Sequence, residues 1–545
     1  MDFVTILSFL FFTTLVAVLT WWITRGKSTD TEEGFFLAGR SLTGVVIAGS
    51  LLLTNLSTEQ LVGLNAGSFA EGLSVMAWEV IAGMSLVVLA LFFLPRYLKS
   101  GIATIPQFLE ERYDAKVRAL TTGIFIVAYM LILLPFVLFS GASALAYMLD
   151  LPTKLGLSDA GVIWAVVAFI AIVGSAYAIF GGLRAVAVSD TFNGLGLLIG
   201  GGMITWFSIQ YAADDGQSIT GVLKEIKAEN PDAFVSLGKE GEDVHWPTLF
   251  TGVLLLNFFY WCTNQQIIQR TFGAKNLAEG QKGVLLAAFF KILAPIILIL
   301  PGIVALHIAN ENADFNQGLL NDAGERDGTR VYGSLVRLVL PPYLTGFFAA
   351  VVVGSILSTF NSVLNSSATL FSLGVYKKAI NKNATTAEVV KSGRWCSAIV
   401  AVCAAIGAPV IFMGQEGIFG YFQKLNGVYF IPLLAAILVG MFNRMVDGKS
   451  AFISIIVGLA IMMWGTFLGG DVISNVFGSG YHFMGAVFVG LVVLQLALGS
   501  VMKRDAPYIQ QDAKVVDLTP WKPARIVGAV MIVAVLALYF SLARG

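Results

Sequence analysis

One polar segment interrupts an otherwise apolar span near the start of the chain: Ser50-Leu-Leu-Leu-Thr-Asn-Leu-Ser-Thr-Glu-Gln-Leu-Val-Gly63. The surrounding residues 43–66 are apolar enough to cross a bilayer, yet six of the seven residues from Thr54 to Gln60 are polar. A carboxylate such as Glu59 at the centre of a membrane helix costs about 2.5–3.5 kcal/mol. Such a run is tolerated where a helix is interrupted and lines a water-filled or ligand-filled cavity. The segment therefore predicts the broken first helix of a transporter's binding site.

The composition places the chain among membrane proteins. Hydrophobic residues make up 57% of the 545 positions and charged residues only 12%, half the share of about 25% found in soluble domains. The formal net charge is zero, which argues against a nucleic-acid partner. The three cysteines and three histidines show no metal-ligand spacing, and no Walker lysine loop, GxSxG motif or GxGxxG motif after a strand is present. We therefore expect a membrane protein that is not an enzyme.

Apolar stretches of about 20 residues predict an all-α polytopic protein with about fourteen transmembrane helices. They lie near 4–24, 43–66, 73–97, 117–148, 160–181, 185–211, 247–272, 281–308, 334–374, 392–413, 417–442, 450–469, 479–501 and 523–542. With the N-terminus outside, 24 of the 34 basic residues, Arg270 among them, fall in inside loops and 8 fall outside. The positive-inside rule then puts both termini outside. The two long acidic outside loops, 212–246 and 309–333, are expected to carry short surface helices.

A second interrupted span, 247–272, opens the other half of the chain. It holds Asn257 early and Asn264-Gln-Gln266 late. Counted from residue 43, each interrupted span opens a group of five helices, and the two groups face opposite ways because an odd number of helices separates their starts. Inverted repeats of this kind place solute and ion sites near the bilayer midplane. The predicted domains are an N-terminal accessory helix and loop (1–42), the first repeat (43–211), an external loop (212–246), the second repeat (247–442) and C-terminal accessory helices (443–545).

A row of hydroxyl groups marks one face of the span 334–374. At 100° per residue its members fall within about 100° of one another; they are Ser355, Ser358, Thr359, Ser362 and Ser366. Small hydroxyl residues also permit close packing of membrane helices, so the spacing leaves both interpretations open. Neutral oxygen atoms are the ligands that a hard cation such as sodium prefers. Two of these hydroxyls, with carbonyls freed by the break at 53–56, would provide a sodium site.

Three ionisable residues lie deep within predicted spans: Glu59, Glu79 and Lys291. Ionisable groups in the membrane are functional candidates by default, although Glu79 and Lys291 also fit a buried ion pair with a structural role. The sequence does not decide which way Glu59 faces.

Amides and aromatic rings accompany these charges. The amides Gln60, Asn257 and Gln423 can both donate and accept hydrogen bonds. The aromatic residues within a few positions of them or of the charges are Trp78, Tyr260, Trp261 and Phe419. Together these groups describe a site for a polyhydroxylated solute, whose hydroxyls find partners while the C–H face of a ring stacks on an aromatic. Composition and spacing alone predict an ion-coupled transporter of a small polar solute.

The chain resembles the sodium/solute symporter family, in particular its sodium/glucose and sodium/galactose cotransporter branch. The resemblance covers nearly the whole chain. It is carried by Phe36-Leu-Ala-Gly-Arg-Ser-Leu42, Thr54-Asn-Leu-Ser-Thr-Glu-Gln60, Gly101-Ile-Ala-Thr-Ile-Pro-Gln-Phe-Leu-Glu-Glu-Arg-Tyr113, Tyr177-Ala-Ile-Phe-Gly-Gly-Leu-Arg-Ala185, Tyr260-Trp-Cys-Thr-Asn-Gln-Gln-Ile-Ile-Gln-Arg270, Gln281-Lys-Gly283 and Leu364-Asn-Ser-Ser-Ala-Thr369. It implies a leucine-transporter-like core of two inverted five-helix repeats that works by alternating access in a bacterial inner membrane.

The resemblance also implies individual site residues. Sodium, the transported co-substrate, would bind the carbonyls of Leu53, Leu56 and Ser355 and the hydroxyls of Ser358 and Thr359. Sugar contacts would fall on Gln60, Glu79, Asn257, Lys291 and Gln423. Tyr260 would stack on the sugar from the inner side and Phe419 would cover the outer side, with Trp78 and Trp261 beside them. Asp190, Asn361 and Ser362 match positions of a second sodium site or of an exit path.

The resemblance leaves the solute open. Ala82 stands where the galactose branch has a sugar-contacting serine, so a sugar of the galactose or glucose class is expected without that hydrogen bond. The alternatives are a sodium symporter of inositol, sialic acid, proline or a carboxylate, and a transporter-like sensor without coupled transport. The expected partners are sodium, a small solute and the lipid bilayer. The sequence does not choose between a monomer and a homo-oligomer.

Overall fold

The computed structural model describes residues 3–24, 37–214, 216–242, 244–321, 324–415 and 417–543, without the side chains of 176–187. Within these residues the chain is nearly all helical, and its only β interactions are three isolated bridges. The prediction of an all-α protein is therefore confirmed. Phe36, the basic loop residues Arg25 and Lys27, and the chain ends lie outside the described residues, as do the side chains of the motif 177–185.

The main helices run Phe3–Thr24, Gly44–Asn55, Thr58–Glu71, Ala77–Val88, Leu94–Ser100, Ala115–Ala128, Leu134–Met148, Asp159–Tyr211, Gly252–Cys262, Gln265–Phe272, Leu277–Leu293, Leu300–Glu311, Pro342–Thr369, Thr386–Phe412, Ile418–Phe442, Gly448–Phe467, Gly480–Val501 and Ala524–Ser541. Shorter helices run Ile105–Arg112, Leu151–Leu155, Ile219–Glu229, Pro295–Leu298, Ala313–Gly318, Gly328–Val339 and Gly470–Phe477. Wide π-type turns at Leu89–Phe93, Tyr129–Leu133 and Leu370–Ile380 continue three of the helices. Short 3-10 turns occupy Ala38–Arg40, Gly72–Met76, Pro231–Phe234 and Trp246–Phe250.

Ten helical stretches of the described residues are long and apolar enough to cross a membrane, or eleven if a pair bent by 46° counts as one. The bent pair is Leu277–Leu293 with Pro295–Glu311. The predicted spans 160–181 and 185–211 both lie in the single helix Asp159–Tyr211, because the glycines between them do not break it. Each half of a broken helix is too short to cross a membrane alone and does not add a span by itself, so the predicted number of fourteen transmembrane helices stays a prediction.

The predicted span 334–374 begins later than the sequence indicated. Residues 334–339 belong to the amphipathic helix Gly328–Val339 of the outside loop, and the membrane helix starts at Pro342. The Pro341-Pro342 pair explains the boundary, since proline starts a helix but cannot continue one. The surface helices expected in both outside loops are present, at Ile219–Glu229, Ala313–Gly318 and Gly328–Val339.

The first broken helix comprises Gly44–Asn55 and Thr58–Glu71. Leu56 (φ −72°, ψ 61°) and Ser57 (φ −108°, ψ −171°) leave the helical region. The amide of Ser57 donates to Asn55 O at 2.7 Å. It is therefore not available to Leu53 O four residues back, which would be its partner in a regular helix. The predicted interruption thus frees backbone carbonyls at the predicted place.

The second broken helix comprises Gly252–Cys262 and Gln265–Phe272. Its break lies at Thr263 and Asn264, whose amides both donate to Phe259 O at 2.9 Å. The hydroxyl helix, Pro342–Thr369, packs against the first broken helix and against Asp159–Tyr211. These four elements bring both breaks and the hydroxyl row into one region of the core.

Candidate ion and solute site

Carbonyls of the first break face hydroxyls of the hydroxyl helix. Ser355 Oγ donates to Leu56 O at 3.2 Å, and Thr359 Oγ1 donates to Thr54 O at 3.1 Å. Thr359 Oγ1 also lies 3.5 Å from Leu53 O. All of these side chains are buried to within 1% of full burial. The structure therefore brings together four of the five residues that the resemblance implies for sodium, although Ser355 contacts the break through its hydroxyl and not through the implied carbonyl.

The fifth residue, Ser358, faces a carboxylate instead. Its hydroxyl donates to Asp190 Oδ1, while Ser50 Oγ donates to Asp190 Oδ2 at 2.9 Å. Asp190 is fully buried. It contacts the hydroxyl row through Ser358, and its role in an exit path or a second sodium site stays a prediction. A carboxylate directly behind Ser358 makes the surroundings of this predicted sodium ligand more negative.

Arg270 also lies in this region. The distribution of basic residues predicts an inside loop for it, and this prediction is wrong, because Arg270 is fully buried. Its Nε donates to Thr54 Oγ1 at 2.9 Å, and its two Nη groups donate to Gln266 O and Ser362 Oγ. Hydropathy does not predict the burial of Arg270, because the half-helix Gln265–Phe272 that carries it is short and polar. The one signal for its burial in the sequence is its position four residues after Gln266, on the same helix face.

Asn361 and Ser362 are the two remaining candidates for a second sodium site. The hydroxyl of Ser362 accepts a hydrogen bond from Arg270. Asn361 is 1% exposed, and within the described part of the chain its Oδ1 has no hydrogen-bond partner. The structure does not join Asn361, Ser362 and Asp190 through hydrogen bonds to one another.

A cavity lies next to the carbonyls of the first break, between the two broken helices and helix Ile418–Phe442. Seven of the nine predicted solute residues line it: Gln60, Trp78, Asn257, Tyr260, Trp261, Phe419 and Gln423. The sequence missed five further lining residues besides Glu59, namely Asn55, Leu256, Phe422, Asn426 and Phe430. Asn426 was within reach of sequence reasoning, since it lies one helical turn after Gln423 and donates to its Oε1 at 3.1 Å.

Glu79 and Lys291 do not line this cavity. They form an ion pair, with Lys291 Nζ 2.5 Å from Glu79 Oε2 and side-chain exposures of 0% and 1%. Lys291 Nζ lies 5.3 Å from the centre of the Trp261 ring, and Trp261 does line the cavity. The pair therefore sits behind Trp261, as in the structural alternative that the sequence left open.

Glu59 faces the cavity, which settles the orientation that the sequence left undecided. Its carboxylate accepts a hydrogen bond from the Ser57 hydroxyl, so the residue at the break holds it in place. The next residue, Gln60, has an Oε1 atom that is buried and finds no partner within the described residues. A buried amide oxygen without a partner costs about 1–3 kcal/mol, which a ligand hydroxyl would recover.

Aromatic rings close one side of the cavity. Trp78 meets Phe419 edge-on at 5.7 Å and Tyr481 at 5.8 Å between ring centres. Tyr260 packs edge-on against Trp261 at 5.3 Å. The cavity thus combines amides, one carboxylate and flat apolar faces.

Comparison with known proteins gives a consistent result. A model of the sodium:solute symporter family matches residues 35–458. The chain is 41% identical over 547 residues to the uncharacterized symporter YidK of Escherichia coli (strain K12), covering 100% of this chain and 92% of the relative. It is 29% identical over 482 residues to a sodium/glucose cotransporter of Vibrio parahaemolyticus, covering 86% of each.

Among solved structures, the chain superimposes on the substrate-bound outward-open state of a Na+-coupled sialic acid symporter with a TM-score of 0.76. The two sequences are 17% identical, and the match covers 93% of this chain and 99% of that chain. At this identity the similarity shows the fold, which is leucine-transporter-like as predicted.

Proposed function

Since this chain belongs to the sodium:solute symporter family, we propose that it couples inward sodium flow to the uptake of a hexose-like sugar by alternating access. The observation that carries the proposal is the double role of the first broken helix. Its carbonyls at Leu53 and Leu56 face the hydroxyl helix, and Gln60, one turn later, lines the cavity. Sodium binding can therefore act on the sugar site directly.

The proposed sodium ligands are the carbonyls of Leu53, Leu56 and Ser355 and the hydroxyls of Ser358 and Thr359. The hydroxyls of Ser355 and Thr359 now donate to carbonyls of the break. When sodium binds, the Thr359 hydroxyl would rotate so that a lone pair of its oxygen faces the ion. The carbonyls of the break would then coordinate sodium instead of accepting a hydrogen bond.

The buried charges support one sodium ion. Around the two breaks, the carboxylates of Glu59, Glu79 and Asp190 outnumber the cations of Arg270 and Lys291 by one. When all three carboxylates are ionised, the excess negative charge is costly in a low-dielectric core, and a single sodium would neutralise it. We propose that Asp190, with Asn361 and Ser362, serves the exit path rather than a second site, because the nearby Arg270 guanidinium repels another cation.

The proposed solute contacts are Gln60, Asn257 and Gln423, with Trp78, Tyr260, Trp261 and Phe419 as apolar surfaces, all of which line the cavity. Glu79 and Lys291, which the resemblance also implies, lie behind Trp261 and support it from there. Among the described residues that line the cavity, Glu59 is the only charged one. A carboxylated solute such as sialic acid would meet this carboxylate, and like charges disfavour binding. The cavity therefore favours a neutral polyol, and the sodium/glucose cotransporter among the relatives supports a hexose.

The coupling energy is sufficient for concentrative uptake. One sodium entering down about 100 mV gains about 2.3 kcal/mol, and a tenfold gradient adds about 1.4 kcal/mol. Together these support roughly 500-fold accumulation of a neutral solute per ion. We place the protein in a bacterial inner membrane with both termini outside and keep 43–211 and 247–442 as the two repeats, a division supported by a broken helix at the start of each.

The test is uptake of labelled galactose and glucose into proteoliposomes under a sodium gradient, with inositol, sialic acid and proline as competitors. We expect sodium-dependent uptake and a loss of sugar affinity of about 5- to 150-fold in Gln423→Ala, from the 1–3 kcal/mol of an unsatisfied polar partner. Lys424→Gln is the matched control, because its side chain is exposed on the same helix turn. Uptake that persists when choline replaces sodium would refute the proposal, and sodium current without any solute would favour the sensor alternative.

A further inference from the structure

A second cluster of ligating side chains lies away from the cavity, at the side that the basic-residue distribution places outside. Glu229 ends the surface helix Ile219–Glu229, and His307 and Glu311 share helix Leu300–Glu311. His307 is 2% exposed. Its Nδ1 lies 2.8 Å from Glu229 Oε2, and its Nε2 lies 3.3 Å from Glu311 Oε2. One ligand atom from each residue falls within 4.8 Å of the other two.

The two contacts of His307 differ in kind. A carboxylate only accepts hydrogen bonds, so at 2.8 Å the Nδ1–H of His307 donates to Glu229. In the neutral ring this tautomer leaves a lone pair on Nε2, which faces an oxygen of Glu311. Two acceptors that face each other require a cation or a proton between them.

The separation of these two acceptors fits a metal ion. Charge-assisted N–H···O bonds measure about 2.7–2.9 Å, so 3.3 Å between Nε2 and Glu311 Oε2 is long for a shared proton. Two ligands of a tetrahedral zinc ion with bonds of 2.0–2.1 Å stand about 3.3 Å apart. The Nδ1 bond to Glu229 reproduces the carboxylate–histidine–metal arrangement in which an outer carboxylate fixes the ring.

We propose that His307 Nε2 and the Glu311 carboxylate bind a divalent transition metal of the zinc class, with water completing the coordination and Glu229 orienting the imidazole. Imidazole nitrogen suits zinc and copper, whereas magnesium and calcium prefer oxygen ligands only. The site is distinct from the sodium and sugar site and does not depend on the proposed solute.

The position of the cluster gives the metal a means of affecting transport. Helix Leu300–Glu311 packs against Thr58–Glu71, the outer half of the first broken helix. Metal binding at Nε2 fixes the imidazole of His307 and strengthens its hydrogen bond to Glu229. The surface helix Ile219–Glu229 is then held against the packed pair of helices Leu300–Glu311 and Thr58–Glu71. Zinc on the outside is therefore expected to slow uptake by opposing movement of the outer half-helix.

The experiment measures Zn2+ binding to the full-length protein in detergent by equilibrium dialysis. Glu311→Gln is the main variant, because a side chain that is 59% exposed can be exchanged without loss of folding. We expect Glu311→Gln to bind one zinc ion fewer than the wild type. We expect Glu229→Gln to lower the affinity for that ion by about 10- to 100-fold, as the loss of an outer-sphere partner does. The matched control is Glu225→Gln, which lies one turn earlier on the surface helix, is exposed and contacts Gln217.

Copper EPR provides a second readout. Nitrogen hyperfine splitting from bound Cu2+ should be present in the wild type and absent in His307→Gln. If wild type and Glu311→Gln bind the same number of zinc ions, or Glu229→Gln and Glu225→Gln weaken binding equally, the proposal is wrong. The rings of His482 and His245 lie 5.4 Å apart and form the alternative pair of imidazoles. Binding that survives Glu311→Gln but disappears in His482→Ala would locate the metal there and would also overturn the proposal.

Discussion

The buried pair of Lys291 and Glu79 allows stability and solute recognition to be tested separately. Its atoms lie 2.5 Å apart, and neither side chain is exposed by more than 1%. Lys291→Met leaves the Glu79 carboxylate buried without a counter-charge, which costs about 3–5 kcal/mol, or roughly 150- to 5,000-fold in the folding equilibrium. In Glu79→Met/Lys291→Met no lone charge remains, and apolar replacement of a buried pair is often neutral or stabilising. We expect the double variant to unfold near the wild-type temperature and Lys291→Met well below it.

The assay is thermal unfolding of the purified protein in detergent, with sugar binding measured on the same samples. Because the pair lies behind Trp261 and does not line the cavity, we expect the folded double variant to keep a sugar affinity near that of the wild type. A direct contact, as the resemblance implies, would instead cost about 10- to 150-fold in affinity, the 1.5–3 kcal/mol of hydrogen bonds to charged groups. Lys282→Met is the control, because Lys282 pairs with Glu279 at the surface with 45% and 24% exposure and such pairs contribute at most about 1 kcal/mol.

Two outcomes would refute this reasoning. A double variant as unstable as Lys291→Met would show that the unpaired charge is not the source of the loss. A double variant that loses sugar affinity by about 10-fold or more would show a direct contact with the solute and refute the position of the pair behind Trp261.

Three further predictions concern neighbouring positions. Thr359→Ala should raise the sodium concentration for half-maximal uptake by about 10-fold or more, because an interaction with a charged group contributes about 1.5–3 kcal/mol. Thr359→Ser keeps the hydroxyl, so its half-maximal sodium concentration should stay near the wild-type value. Arg270→Lys should lower the unfolding temperature despite its conserved charge, because a compact ammonium cannot span the three partners of the guanidinium. Gly302→Ala should destabilise by about 1–3 kcal/mol, because the added Cβ would overlap the Ser68 hydroxyl, while Gly318→Ala meets no atom within 4 Å; equal unfolding temperatures would contradict this packing.

Both helix breaks could be predicted from the sequence because polar residues inside an apolar span carry their own signal. The polar runs around Ser57 and Asn264 are costly in hydrocarbon wherever the rest of the chain lies. The hydroxyl row could also be predicted, because its spacing alone puts Ser355 and Thr359 on one helix face. Periodicity and transfer free energy are local properties, so one chain suffices to read them.

The pairing of charges could not be predicted in this way. The distribution of basic residues predicts a loop position for Arg270, and the sequence does not orient Glu59. In the structure Arg270 is buried beside Ser362 and Glu59 lines the cavity. Lys291 and Glu79 are 212 positions apart, and nothing in either neighbourhood specifies the other.

The sequence by itself therefore determined the membrane class, the all-helical fold, the two interruptions and the kinds of groups at the candidate site. Only the tertiary structure decided which of those groups face one another: Ser358 with Asp190, Glu59 with the cavity, and Lys291 with Glu79 behind Trp261. The physical reason is that a buried polar group must find a partner, and helix packing alone determines which partner lies within hydrogen-bond distance.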